Sequence, residues 1–174
     1  MVTRRDWIRL TTGAGAALTL DPRALAALQT GPVMTRPIPA SGELIPVIGL
    51  GGRWISVNSN TEELADHRAV LNELAEGAED TGRLFDSAAG YGGGGSEEYA
   101  GQWAAEDGVQ DRIFWATKVN VAGRGSGSAA PAAVRDQIER SFERLRVPVI
   151  DLDQVHNMGD PSTQLRILQE YREQ

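Results

Sequence analysis

Arg83-Leu84-Phe85-Asp86-Ser87-Ala88-Ala89-Gly90-Tyr91-Gly92 joins a short apolar run to an acid, a phenol and a glycine-rich loop. Leu84-Phe85 opens a brief buried strand, and Asp86 and Tyr91 fall at and just past its end. Two later runs end in the same manner. Lys118 closes Ile113-Phe114-Trp115-Ala116-Thr117, and His156 closes Val149-Ile150-Asp151-Leu152-Asp153-Gln154-Val155. Helical patterns separate the runs, so the strands should be parallel neighbours whose carboxyl ends share one face. Active sites of α/β folds gather on that face. An acid, a phenol, an amine and an imidazole converging there would handle protons, which points to an enzyme.

Working outward, Val47-Ile48-Gly49-Leu50-Gly51 is expected to form the first core strand. Ahead of it, Arg36-Pro37-Ile38-Pro39 and Leu44-Ile45-Pro46 flank Ala40-Ser41-Gly42, a small hairpin with edge-type prolines. A helix is expected over 61–78, with Asn60 as N-cap, Glu63 three residues on, and Leu64, Leu71, Leu74 and Ala78 at helical spacing. His67 falls on the packed side and is read as structural. Ser96 is placed to cap a short helix that carries Tyr99, Ala100 and Trp103 for helix–sheet packing. Pro131 suits the first turn of another helix, with Val134, Ile138, Phe142 and Leu145 inward and Arg135, Glu139, Arg140, Glu143 and Arg144 outward. Asp160-Pro161-Ser162 starts a last helix with Leu165, Ile167, Leu168 and Tyr171. Strict βα alternation after a hairpin is the result.

Composition bounds the alternatives. The 174 residues, 41% hydrophobic, suffice for one core but not for the roughly 250 residues of an eight-unit β/α barrel. Without cysteine, and with two histidines lacking a paired spacing, no disulfide framework or dedicated metal site is expected. The charge of −7 is dispersed, and no basic stripe interleaved with aromatics speaks for nucleic acid. Residues 1–26 follow another logic. Thr3-Arg4-Arg5-Asp6-Trp7-Ile8-Arg9 resembles a twin-arginine export signal, followed by a mild apolar stretch to Leu20 and the small-x-small Ala24-Leu25-Ala26. That stretch is too short to span a bilayer. The expected division is a signal at 1–26, a linker at 27–36 and the catalytic fold at 37–174. Export to the periplasm or beyond is expected, with the cytoplasm as the alternative.

The chemistry begins with Tyr91. A free phenol titrates near pH 10, and an adjacent ammonium stabilises its ionised form. Lys118 can supply that charge, Asp86 can hold Lys118, and His156 can hydrogen-bond the oxygen of a bound carbonyl. Together they form a general acid aimed at a developing oxyanion. No side chain donates hydride, so a nicotinamide cofactor is implied. Taken singly, the four have blander readings: a helix cap, a packing tyrosine, a surface lysine, a core histidine. Their recurrence at successive strand ends shifts the balance.

Phe85-Asp86-Ser87-Ala88-Ala89-Gly90-Tyr91-Gly92 with Ser96-Glu97 resembles the signature of the aldo-keto reductases. Trp115-Ala116-Thr117-Lys118 and Asp151-Leu152-Asp153-Gln154-Val155-His156-Asn157 are similar to that family's later lysine and histidine segments. The resemblance runs from about Ile38 to the end. It implies a (β/α)8 barrel of the TIM type, of which the chain holds the hairpin and about four βα units. It also implies reversible NADPH-dependent reduction of aldehydes and ketones. Tyr91 would be the proton donor, Lys118 its activator, Asp86 the partner of Lys118, and His156 the group that orients the carbonyl. Gly51, Gly52, Arg53 and Asp86 would lie near the cofactor, and Trp54 and Asn157 would line the substrate pocket. Four consecutive glycines after Tyr91 exceed what the motif needs.

In the family, much of the NADPH grip comes from later strands, so these residues alone are expected to bind NADPH weakly or not at all. A non-catalytic half-barrel, paired with itself or with a separate C-terminal half, is the alternative; no membrane insertion after export is expected. Gly90-Tyr91-Gly92-Gly93-Gly94-Gly95 formally satisfies GxGxxG. A Rossmann fingerprint would want an acid at the next strand end, where Lys118 stands. A Rossmann- or flavodoxin-like domain therefore ranks below the barrel.

Overall fold

The computed structural model describes residues 34–77, 83–123 and 127–173. The export signal expected at 1–26, most of the expected linker, and Ala78 of the first helical stripe lie outside the described residues. β1 (Thr35–Pro37) pairs antiparallel with β2 (Leu44–Pro46), so the hairpin begins inside the stretch assigned to the linker. The main sheet holds β3 (Leu50–Gly51), β4 (Arg83–Asp86), β5 (Ile113–Val119) and β6 (Leu152–Val155), all parallel and in the order β3-β4-β5-β6. Helices α1 (Thr61–Glu76), α2 (Gly95–Asp107) and α3 (Pro131–Leu145) connect them, and α4 (Pro161–Arg172) follows β6. Sequential order is the rule of a β/α barrel. A doubly wound sheet reverses its order at a switch point, and this one does not.

Local chemistry explains the helix starts. The Asn60 side chain accepts from the Glu63 N–H while the Glu63 carboxylate accepts from the Asn60 N–H, a complete capping box. Asp160 caps α4 through the Thr163 N–H, and its carboxylate also takes the Ala129 N–H and the Ser162 hydroxyl, which hold it down at about 2. Pro131 occupies the first turn of α3, where its missing N–H costs nothing.

The strands alternate faces. Phe85, Ile113, Trp115 and Val119 point to the helices. There Phe85 and Trp115 meet edge to face at 5.7 Å, within a core of Leu71, Ala75, Ala100, Trp103, Ala104 and Leu145. Val134, Ile138 and Ile167 join Val119 in a second cluster. Gly101 lets α2 and α3 approach closely, since a Cβ there would strike the backbone at Arg144 and Leu145. The opposite face carries Asp86, Ala116 and Lys118. In register, Asp86 faces Ala116, which puts Lys118 one pleat further along on the same side.

Four expectations are corrected. The first core strand is confined to Leu50–Gly51; Val47 donates its N–H to the Met34 carbonyl and so prolongs the hairpin, leaving Ile48 78% exposed. The run ending at His156 is strand only over Leu152–Val155, because the Asp151 carboxylate takes the Trp115 N–H and Val149 turns outward. Ser96 is not a cap: Gly94 holds that position with φ +95°, and Ser96 is buried one residue inside α2. Arg144 does not face solvent. Its guanidinium turns inward over Gly94, where a side chain would collide with it.

Candidate active site

Asp86 and Lys118 end up on one face by register, and the Lys118 ammonium lies 2.6 Å from Asp86 Oδ1. The same ammonium donates to the Ser87 carbonyl at 2.6 Å. Its side chain is only 12% exposed, so its charge is satisfied by these two oxygens with little help from water. Lys118 Nζ stands 5.3 Å from the centroid of the Tyr91 ring. The His156 ring meets the same ring in a T-shaped contact, at 5.6 Å between centroids and 82°. All four predicted groups are therefore within one cluster at the carboxyl ends of β4, β5 and β6.

Tyr91 begins a tight turn, Tyr91–Gly94, that leads directly into α2. The extra glycines fix this turn. Gly92 sits at φ +57°, and a Cβ on it would run into the Ile55 carbonyl; two residues on, Val57 donates its N–H to Gly92 O at 3.0 Å. The loop packs against the Ile55–Val57 backbone because it has no side chains.

His156 is placed by less regular backbone. It opens the turn His156–Met158, in which Asn157 and Met158 both have left-handed φ, of +60° and +56°. Such residues cost about 1–3 kcal/mol each and gather at functional sites. Asn157 Nδ2 donates to Asn120 Oδ1 at 3.3 Å, tying this turn to the end of β5. Burial, and then the nearby Lys118 ammonium, push the His156 imidazole below its ordinary value, against the opposing pull of Asp86. The shift favours the neutral imidazole, which has one N–H to donate and one nitrogen to accept.

A cleft of about 440 Å³ opens over the cluster, lined by Arg53, Gly90, Tyr91, Gly92, His156 and Asn157. Gly51 and Gly90 each border open space where a side chain would stand. Of the residues expected near the cofactor and substrate, Arg53 and Asn157 line this cleft. Gly52 does not: it is buried beneath Ser96 and Phe85 and donates its N–H to the Asp86 carbonyl at 2.8 Å. Trp54 is 77% exposed, with the Arg53 guanidinium 5.9 Å over its ring, and lies outside the lining.

Sequence reasoning did not reach the groups behind the cluster. Glu97 is fully buried, accepts the Thr117 hydroxyl at 2.6 Å and pairs with Arg144 at 3.3 Å. The Ser87 and Ser96 hydroxyls meet at 2.7 Å, also buried. Asp153, beside β5, accepts the Val119 N–H; burial, seconded by the Glu97 charge, pushes its carboxyl up to about 7. A helical pattern places Glu97 in a first turn but says nothing of its burial. Among the described residues, no group of three or more His, Cys, Asp or Glu is arranged to hold a metal ion.

Comparison with known proteins agrees with this geometry. The profile of the Aldo/keto reductase family matches residues 48–174. Aldo-keto reductase str7 of Strobilurus tenacellus is 36% identical over 141 residues, 78% of this chain and 40% of its own length. Aldo-keto reductase yakc [NADP(+)] of Schizosaccharomyces pombe is 31% identical over 123 residues, 67% of this chain and 35% of its own. An aldo-keto reductase from Klebsiella pneumoniae, solved in complex with NADPH, superimposes with a TM-score of 0.63 at 23% identity, over 81% of this chain and 46% of that one. At that identity the likeness is one of fold, that of a (β/α)8 barrel. The chain thus spans 30–40% of the length of curated relatives that it matches. With the motif, the sheet order and the family profile in agreement, the chain belongs to the aldo/keto reductase family.

Proposed function

We propose that residues 34–173 carry the acid–base half of an NADPH-dependent reductase of aldehydes or ketones, with Tyr91 as the proton donor. One observation carries the reading: a lysine held by an aspartate stands over a tyrosine ring that a histidine meets in a T-shaped contact, beneath an open cleft.

A carbonyl oxygen entering the cleft would accept from the Tyr91 hydroxyl and from the N–H of neutral His156. Both bonds strengthen as negative charge builds on that oxygen, which is how such donors favour the transition state. Bound NADPH would supply the hydride to the carbonyl carbon. Tyr91 would give its proton to the oxygen, completing the alcohol, and the Lys118 ammonium would balance the charge left on the phenolate. Asp86 holds Lys118 in place. The residues present suit the reacting end of the cofactor: bare backbone at Gly51 and Gly90 leaves room for a flat ring, and Arg53 and Asn157 offer donors beside it.

Much of the grip on NADPH is assigned to further βα units in a complementary segment. The exposed Val149, Leu152 and Leu165, around a groove of about 910 Å³ beside β6, are where these would pack. The test is NADPH oxidation with a panel of aldehydes and ketones, by the purified chain alone and with the C-terminal half of a family member supplied. Loss of turnover in Tyr91→Phe is expected. Equal rates for wild type and variant would overturn the proton-donor role. Tight NADPH binding by the chain alone would overturn the division of labour. We also infer export through Arg4-Arg5; unchanged localisation after replacing both with lysine would count against it.

A further inference from the structure

We propose that Glu97 and Arg144 are positioning residues that aim Tyr91 and Lys118 from behind the sheet. This rests on the reductase reading of those two groups. Glu97 Oε1 accepts the hydroxyl of Thr117, the residue next to Lys118, at 2.6 Å. Glu97 Oε2 takes Arg144 Nη1 at 3.3 Å, and that same nitrogen donates to the Ala89 carbonyl at 3.1 Å, two residues before Tyr91. The Ala89 N–H in turn reaches the Lys118 carbonyl at 3.3 Å. One buried carboxylate therefore ties the strand that bears the lysine to the loop that bears the phenol. The guanidinium also fills the space over Gly94, at the far end of the Tyr91 turn.

Cost argues that this arrangement is more than packing. Glu97 is fully buried, and taking a carboxylate out of water is repaid only when every oxygen finds a good partner. An apolar side chain of similar volume would fill the same place without that demand. What the ion pair adds is direction, because its bonds end on particular atoms flanking Tyr91 and Lys118. Strand alternation completes the point. Thr117 faces the helices and Lys118 faces the cleft, so anchoring the first fixes the backbone from which the second projects.

Glu97→Gln keeps the size and the bond to Thr117 but drops the charge that holds Arg144. Native-state hydrogen exchange on the whole chain should show the Tyr91–Gly95 amides exchanging about tenfold faster, with Leu84, Phe85 and the β5 amides within about threefold of wild type. A uniform rise across the sheet, or no change in the loop, would overturn the proposal. If Glu97→Gln does not fold, Arg144→Lys decides by the same comparison, since an ammonium cannot serve Glu97 and the Ala89 carbonyl with the same reach. Carbonyl reduction is measured on the same proteins. Where present, kcat should fall about tenfold with KM within about twofold, and an unchanged kcat would overturn the positioning role. A wild-type protein that shows no reduction even with the C-terminal half of a family member supplied would instead overturn the reductase reading, and the exchange comparison would still judge Glu97 and Arg144.

Discussion

The Tyr91 loop and the β6 edge flank the same cleft but are held in opposite ways. The loop is pinned from three sides, by the Ile55–Val57 backbone, by Arg144 over Gly94, and by the buried pair of Ser87 and Ser96. The β6 edge is open: Leu152 is 38% exposed, Val149 62%, and Leu165 of α4 47%. Tyr91, Lys118 and Asp86 belong to the first region, whereas His156 hangs from the second. Tyr91 and Lys118 are therefore set by groups within these residues, while His156 follows a strand that has one partner among the described residues. Preorganisation here is one-sided.

The largest effect should come from breaking the held side at its chemical centre. Tyr91→Phe keeps the ring against His156 and Lys118 and removes only the hydroxyl. Turnover should fall by about 10²–10⁴-fold, the usual worth of a general acid, with the melting temperature unchanged; rate measurement beside thermal unfolding separates the two. Next is the scaffold. Arg144→Ala leaves Glu97 buried without its cation and should cost roughly 2–3 kcal/mol, the guanidinium being partly solvated at the outset. On the open side, Arg166 pairs with Glu170 along α4 while 60% exposed. Arg166→Ala should cost less than about 0.5 kcal/mol. Denaturant midpoints for the pair test the contrast directly, and equal losses would erase it.

Part of this contrast was legible in the sequence. The βα alternation, the capping box at Asn60 and the four strand-end groups follow from spacing and residue type, which act locally. What spacing could not show is which polar residues turn inward. Arg144 sits on the outward side of its stripe by helical count, yet its long side chain swings under the loop because Gly94 leaves room and Glu97 needs a partner. Val47-Ile48 had the apolar character of a core strand, but Pro46 and the bond to Met34 kept it with the hairpin. Both outcomes depend on partners distant in sequence.

A third, smaller effect sharpens the comparison through pH. Asp153 lies between the two regions, on β6 but facing β5 and Glu97. Its folded value, about 7, exceeds the 3.8 of a free carboxyl. The folded protein therefore binds the proton more tightly than the unfolded chain between those values, and stability falls as pH rises through that window. Asp153→Asn keeps an oxygen for the Val119 N–H and cannot ionise. The variant should gain about 1–2 kcal/mol relative to wild type on going from pH 5 to pH 8, read from denaturant unfolding at both. A constant difference would mean that Asp153 is better solvated than the fold implies.

The smallest effect concerns the histidine itself. His156 is lowered first by burial and then by the Lys118 ammonium, with Asp86 pulling the other way. Because its folded value lies below its unfolded one, the unfolded chain takes up the proton first as pH falls, and stability declines below the ordinary histidine range. Lys118→Met removes only the second cause. The titration midpoint of His156 should rise yet stay below the ordinary value, since burial persists. Asp86→Asn should move it down. Proton NMR can follow this with only His67 to distinguish. Opposite shifts in the two variants would show that His156, though carried on the open edge, feels the charges of the held side. The proposed proton transfer from Tyr91 to a carbonyl held by His156 would use such electrostatic coupling across the cleft.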